Sequence, residues 1–185
     1  MLVELKLNAV GGLSTDEDRS MVLLKERDGE RLLPMMMSTR RALTLMMRSR
    51  LSVPMPVAAT IPDAGVLLLG KFDIHLKYVA ITMIKDGTFY CSIVAEREGE
   101  VKELEFCQAV DGLVYAMAAQ CPIMIEEELL EAQYMHKTGE NSFALNISTM
   151  TRKMLEEALQ NAVEHENYEA ASHLRDELAK RNTQE

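Results

Sequence analysis

Residues 20–37 read Ser20-Met-Val-Leu-Leu-Lys-Glu-Arg-Asp-Gly-Glu-Arg-Leu-Leu-Pro-Met-Met-Met37. Two apolar runs flank Arg27-Asp28-Gly29-Glu30. An Asp-Gly pair between extended runs signals a tight hairpin, because both residues tolerate the backbone that a two-residue turn needs. Ser20–Lys25 and Arg31–Met37 are therefore predicted as antiparallel partners. Upstream, Leu2, Glu4, Lys6 and Asn8 alternate with Val3, Leu5, Leu7 and Ala9, which predicts a strand with one buried face. Gly11-Gly12 through Asp18 reads as a turn-rich loop. Downstream, Ser38 stands as an N-cap for a helix over Thr39–Arg50. Pro54 and Pro56 break the chain. The apolar stretch 57–69, ending at Gly70, reads as a second helix, with Pro62 in its first turn if it begins near Ile61.

The same reasoning extends to the middle of the chain. Phe72–Ile84, Phe89–Glu96 and Val101–Phe106 are strands joined by Lys85-Asp86-Gly87-Thr88 and Glu98-Gly99-Glu100, a three-strand meander. Asp111–Ala119 is an alanine-rich helix, Pro122–Ile125 a short strand and Glu126–Gln133 a further helix. The order is β-β-β-α-α-β-β-β-α-β-α. It specifies a mixed α/β domain over residues 1–135, with helices packed on a largely antiparallel sheet. No repeat of roughly 20–50 residues is present, which excludes a solenoid. Residues 136–150 are a polar linker.

Residues 151–185 carry a second unit. Leu155, Leu159, Ala162 and Val163 share one helical face. Ala171, Leu174 and Leu178 share another after a polar break from Glu164 to Asn167. Neither helix is long enough to be stable alone, so a C-terminal α-helical hairpin is expected, with Ala162, Ala170 and Ala171 allowing close approach.

Composition limits the functional classes. The net charge is −9, from 15 basic and 21 acidic side chains up to residue 146 and 5 against 8 beyond it. Both parts are acidic, which disfavours broad non-specific nucleic-acid binding by counterion release. No apolar run reaches the roughly 18 residues of a membrane span, and no signal peptide is expected. Cys91, Cys107 and Cys121 have no CxxC spacing and sit among apolar residues. They read as buried, inert thiols in a reducing compartment, so a cytoplasmic location is expected. His75, His136, His165 and His173 show no metal-ligand spacing.

Two resemblances follow from these residues. Tyr168-Glu169, Ala171 and Leu174-Arg175-Asp176, followed by the aliphatic Leu178, resemble the UVR motif of bacterial excision-repair proteins and some protease adaptors. The resemblance implies protein binding, often to another such hairpin, through Leu159, Tyr168, Leu174, Arg175 and Asp176. Residues 1–135 resemble the bifunctional nuclease domain, a bacterial and plant family named for activity on DNA and RNA. The matching stretches are Arg31-Leu32-Leu33-Pro34, Asp86-Gly87-Thr88-Phe89-Tyr90, the helix from Asp111, Cys121-Pro122-Ile123 and Glu127-Glu128-Leu129-Leu130-Glu131-Ala132. This resemblance implies phosphodiester hydrolysis, with magnesium or manganese if catalytic.

The family's polar positions are mostly replaced. A Glu-Ala pair in the first helix is here Arg41-Ala42. A Thr-His-Asp triplet is Ala58-Ala59-Thr60. An Arg-Pro/Thr-Ser-Asp-Ala turn is Gln108-Ala109-Val110-Asp111-Gly112. Asp111 alone survives as a catalytic candidate, and it also stands where it would cap its helix. One carboxylate is too few for metal-assisted hydrolysis, which needs several groups to hold the ion and supply the nucleophile.

Arg40, Arg41 and Arg48 are candidates for phosphate binding. Arg41 and Arg48, seven apart, share a helix side, although an ordinary solvated face reads the same way. Glu126-Glu127-Glu128 suits either metal ligation or a helix N-terminus, where acids are favoured. The methionines at 35–37 and 46–47 fill either a core or an adaptable interface. Two functions follow: a nuclease with weak or lost activity, or a non-catalytic adaptor, dimeric through the first domain, that recruits a protein with its hairpin. Nucleic acid remains a possible partner and a membrane does not.

Overall fold

A computed structural model of the chain describes residues 1–12, 18–49, 61–137, 143–144 and 146–182. Among these residues seven strands form one sheet: β1 (Leu2–Gly12), β2 (Arg19–Glu26), β3 (Leu32–Ser38), β4 (His75–Lys85), β5 (Thr88–Arg97), β6 (Glu100–Gln108) and β7 (Ile123–Glu126). The helices α1 (Thr39–Ser49), α2 (Ile61–Gly70), α3 (Ala109–Ala119) and α4 (Glu127–Gln133) fall between them in the expected order. The strand order is β3-β2-β1-β7-β4-β5-β6. The neighbours are antiparallel except β4 with β7. The mixed α/β class with a largely antiparallel sheet therefore holds. The end of α1 at Arg50, the loop at 13–17, the Pro54/Pro56 break and positions 57–60 lie outside the described residues.

Turn chemistry explains two of the hairpins. Asp86-Gly87 has φ of 50° and 73°, and Glu98-Gly99 has 52° and 84°. Paired positive φ values match the twist of the flanking strands. The Asp28-Gly29 pair behaves differently from its prediction. Strand pairing between β2 and β3 stops at Lys25↔Leu32, and a backbone bond from Glu26 N–H to the Arg31 carbonyl, 3.0 Å, closes a wider loop. Strand β4 also starts later than predicted. Lys71–Asp73 turn back on the end of α2, and Asp73 adopts φ 56°.

The core lies between one face of the sheet and α1 and α3. Leu5, Val22, Leu24, Leu33, Val79, Ile81, Cys91, Ile123 and Ile125 face it. Helix α3 is central and buries Ala109, Val110, Gly112, Leu113, Val114 and Ala116. A side chain at Gly112 would collide with the Cys91 sulfur and approach Val79 Cγ1 to 2.9 Å, so glycine is what lets α3 sit this close to the sheet.

The C-terminal unit is a helical hairpin, α5 (Arg152–Glu164) and α6 (Tyr168–Asn182). Thr151 caps α5 by accepting from Met154 N–H at 3.3 Å. Asn167 Oδ1 accepts from Ala170 N–H at the start of α6. Leu155, Ala162, Ala171 and Leu174 are buried in the seam. The stretch read as a linker carries structure. His136–Lys137 (β8) pairs with Phe143–Ala144 (β9), and a 3-10 turn covers Ile147–Thr149. Asn146 Nδ2 donates to the Ala132 carbonyl and Ser148 Oγ to Gln133 Oε1, each at 2.6 Å. Arg181 donates to the carbonyls of Met150, Ile147 and Ser148. The hairpin is thereby tied to the end of α4.

Arg31 joins three elements. Its guanidinium meets Glu26 of β2 at 2.9 Å, and Glu127 and Glu131 of α4 at 2.8 and 3.0 Å. Hydrogen bonding from Arg31 holds the Glu26 and Glu127 carboxyls below their usual range of about 4.5. A carboxylate whose folded pKa is depressed adds stability above its unfolded pKa and loses it as pH falls through the folded one. Arg31→Met should therefore lower the melting temperature at pH 7, and the gap to wild type should narrow as pH falls below the usual carboxylate value of about 4.5 through the lowered folded pKa. Thermal denaturation followed by circular dichroism at pH 7 and at pH 3.5 checks this, and an equal gap at both values would contradict it.

Candidate functional site

A polar cleft of about 430 Å³ opens where the end of β3 and the first turn of α1 face the start of β5 and the N-terminus of α3. The sheet curls enough to bring β3 and β5 together at this end. Asp18, Arg19, Ser38, Arg41, Thr88 and Gln108 supply its polar lining, with Met35–Met37 and Phe89 beneath.

Arg41 organises the cleft. Its Nη1 donates to Gln108 Oε1, and its Nη2 lies 3.7 Å from Asp111 Oδ2. Gln108 occupies the N-cap position of α3, yet its side chain makes no cap bond, because it is turned to Arg41. Asp111 sits in the first turn of α3, where an acid is favoured by the helix dipole. The side chains of Arg41 and Asp111 are both about half exposed. Arg19 enters from the start of β2. Below this cluster, burial, with smaller contributions from Cys107 and Asp111, pushes the Cys91 thiol up to about 12. Burial likewise raises Cys107, and pushes Cys121 up to about 11. These thiols are poor nucleophiles at neutral pH.

The predicted phosphate strip does not assemble. Arg40 and Arg41 are exposed, but Arg48 is buried, its side chain 1% exposed, and its Nε lies 3.0 Å from Asp63 Oδ1 of α2. Arg41 and Arg48 do lie on one side of α1. Asp63 of α2 covers only the later of the two, so the same side is wet at one end and dry at the other. Glu127, one of the three acids at the start of α4, is held by Arg31 and not by a metal-ligand group. In the hairpin Tyr168 is 69% exposed and Arg175 and Asp176 are exposed and paired to each other at 2.9 Å. Leu159 is half-buried. Leu174 is buried inside the seam, so it closes the hairpin and is not offered to a partner.

Arg19, Gln108 and Asp63 escaped the sequence reading. Asp63 left a signal, since a lone acid in an apolar helix must find a cation if it faces inward. Gln108 left none, because its role comes from Arg41, 67 positions away.

The described residues do not fit a divalent-cation site. No group of three or more His, Cys, Asp or Glu side chains comes together among them, and the Asp111 carboxylate already faces a guanidinium. No described helix is long and apolar enough to cross a membrane.

The sequence model of the bifunctional nuclease domain matches residues 22–138. The chain belongs to the bifunctional nuclease domain family. The UvrB/uvrC motif matches residues 147–181, which takes in the 3-10 turn, α5 and all but the last residue of α6. Comparison with curated proteins returns no significant match. Within this bifunctional-nuclease fold, Arg41, Gln108 and Asp111 meet in one cluster.

The seat of α3 fixes that cluster. Gly112→Ala should cost ~1–3 kcal/mol by overpacking, and Cys91→Ala in the same chain should recover most of the loss. Urea denaturation of the two single variants and the double variant tests this. Losses that simply add would refute the proposed collision.

Proposed function

We propose that this chain keeps the bifunctional-nuclease fold with weak or no phosphodiester hydrolysis, and that it works by binding, with the C-terminal hairpin as a protein-recognition arm. The observation that carries the reading is the Arg41–Asp111 pair. The one acid that remains of the polar set implied by the family resemblance faces the Arg41 guanidinium at 3.7 Å. A guanidinium beside a carboxylate stands where a metal ion would have to approach it and repels that ion's charge. The cleft keeps Arg19 and Arg41, two cations of the kind that grip phosphate oxygens. This supports occupancy by a short nucleic-acid segment without supplying the chemistry to cut it. Nuclease activity is the second reading, favoured by the half-exposed side chain of Asp111 beside the cleft residue Arg41.

The assay is cleavage of single- and double-stranded DNA and RNA with magnesium or manganese, comparing wild type, Asp111→Asn and Arg41→Glu. Wild type is expected at the Asp111→Asn background. Arg41→Glu puts two carboxylates side by side and should tighten manganese binding by about tenfold, measured by calorimetry. Robust wild-type cleavage that is lost in Asp111→Asn would overturn the proposal.

For the hairpin, exposed Tyr168 and Val163 flank the turn, while Leu174 holds the seam. Tyr168→Ala combined with Val163→Asp should abolish capture of a protein partner and leave the helical signal intact. Leu174→Asp should melt the hairpin itself. Partner capture that survives the double substitution, or that depends on nucleic acid, would contradict the protein-recognition role.

A further inference from the structure

The acidic charge of the hairpin hides a segregation. Packing α5 against α6 brings the first turn of α5 beside the last turn of α6, where Arg152, Lys153, Lys180 and Arg181 lie. Glu164, Glu166 and Glu169 lie at the opposite end, around the turn between the helices. The basic end is the one that meets the α/β domain. The connector holds it there. A Cβ at Gly87, in the turn before β5, would stand 3.0 Å from the Met150 carbonyl oxygen, and Arg181 donates to that same carbonyl from the hairpin side.

Between this end and the domain lies a second cleft, of about 550 Å³, lined by Asp18, Arg19, Thr151, Arg152, Lys153 and Glu156. Asp18 and Arg19 also line the cleft that holds Arg41. The two clefts are therefore neighbours across the start of β2. Arg41, Arg19, Arg152 and Lys153 succeed one another along them, and the acids on the two linings are Asp18 and Glu156. That balance is the reverse of the chain as a whole, whose net charge is −9. Arg19 is exposed and has no ion-pair partner among the described residues. Arg152 and Lys153 reach Glu156 and Glu157 one turn along the helix, at 3.0 and 3.8 Å. Exposed pairs of this spacing are weak, and a phosphate oxygen competes well for the same cations.

We propose that the two clefts form one track for the sugar-phosphate backbone of a single-stranded nucleic acid, with Arg19 at the joint and the first turn of α5 as the outer half. The inference rests on the reading of the Arg41 cleft as a place for a nucleic-acid segment. It adds that the hairpin, and not the α/β domain alone, holds the strand. Cations that follow one after another suit one backbone, which is what a single strand presents. The aromatic residue on the two linings, Phe89, is 4% exposed. It offers no face for a base to stack on, so the track grips phosphates without choosing bases. The two uses of the hairpin are then separated in space. Arg152 and Val163 stand eleven residues apart on α5, about 16 Å at the helical rise per residue. The strand occupies the basic end at the domain, and a protein partner the end with Val163 and Tyr168.

The test is fluorescence anisotropy of a labelled oligodeoxythymidine of about twelve nucleotides, with EDTA present so that no strand is cut. Wild type should bind with an affinity that falls as salt rises. Arg152→Gln/Lys153→Gln should weaken binding at least about fivefold and lower the slope of log affinity against log salt by about 1.4, since each phosphate contact on a single strand contributes about 0.7. Lys77→Gln/Arg97→Gln makes the same change in net charge toward the other end of β5 from Thr88, on neither lining, and should bind as wild type does. Circular dichroism checks that each variant folds, and taking cations from the first turn of a helix does not weaken the helix. Binding that is lost in Arg41→Gln but unchanged in Arg152→Gln/Lys153→Gln would overturn the track and leave the reading of the Arg41 cleft standing. A wild type that binds no strand at low salt would overturn both. Equal losses in the two double variants would reveal a general charge effect and overturn the track, as would a polyglutamate peptide that competes as well as unlabelled strand.

Discussion

Four residues hold the two halves of the domain together. Strand β7, Ile123–Glu126, bonds antiparallel to β1 on one side and parallel to β4 on the other. Without it, β1–β3 and β4–β6 would be separate three-stranded meanders, each with an unpaired edge exposed to water. Ile123 and Ile125 point into the core, and Ile125 is fully buried. The crossover from β6 to β7 is made by α3, so inserting β7 in the middle of the sheet also draws α3 across it. The N-terminus of α3 then lands at the mouth of the cleft, with Gln108 and Asp111 facing Arg41. The position of the candidate site is a consequence of where β7 pairs.

Charge placement follows the same geometry. Arg31 stays near the surface, where three carboxylates share one guanidinium and water still screens them. Arg48 and Asp63 form a different kind of pair. Both are almost fully buried, and burying two charges costs several kcal/mol that their attraction only partly offsets. That pair turns the polar side of α2 inward and leaves its leucines outward. The exposed apolar face of α2 is therefore the reverse side of a buried ion pair.

The hairpin shows how a marginal element becomes ordered. Helices of 13 and 15 residues are near the lower limit of stability in water. Their seam buries only Leu155, Ala162, Ala171 and Leu174. The remainder comes from Arg181, which gathers three connector carbonyls, and from the bonds of Asn146 and Ser148 to α4. A hairpin attached in this way presents its turn, with Tyr168, in a direction set by its bonds to α4.

The identity and order of β1 to α4 and of the two hairpin helices are legible in the chain, whereas β8, β9 and the 3-10 turn are not. Alternation, helical spacing and Asp-Gly or Glu-Gly turns are written in contiguous residues, and the forces behind them act over a few positions. The helical hairpin and its polar turn were legible for the same reason, as was the inertness of cysteines set among apolar neighbours. What only the tertiary structure decided are relations between distant positions. No local pattern says that β7 pairs between β1 and β4, that Gln108 turns from its helix to Arg41, or that Asp63 claims Arg48 out of an apparent basic strip. Arg41 and Arg48 have the same spacing and chemistry on one helix. One remains at the surface and the other is buried, because α2 contributes its only carboxylate to one end of α1 and nothing to the other.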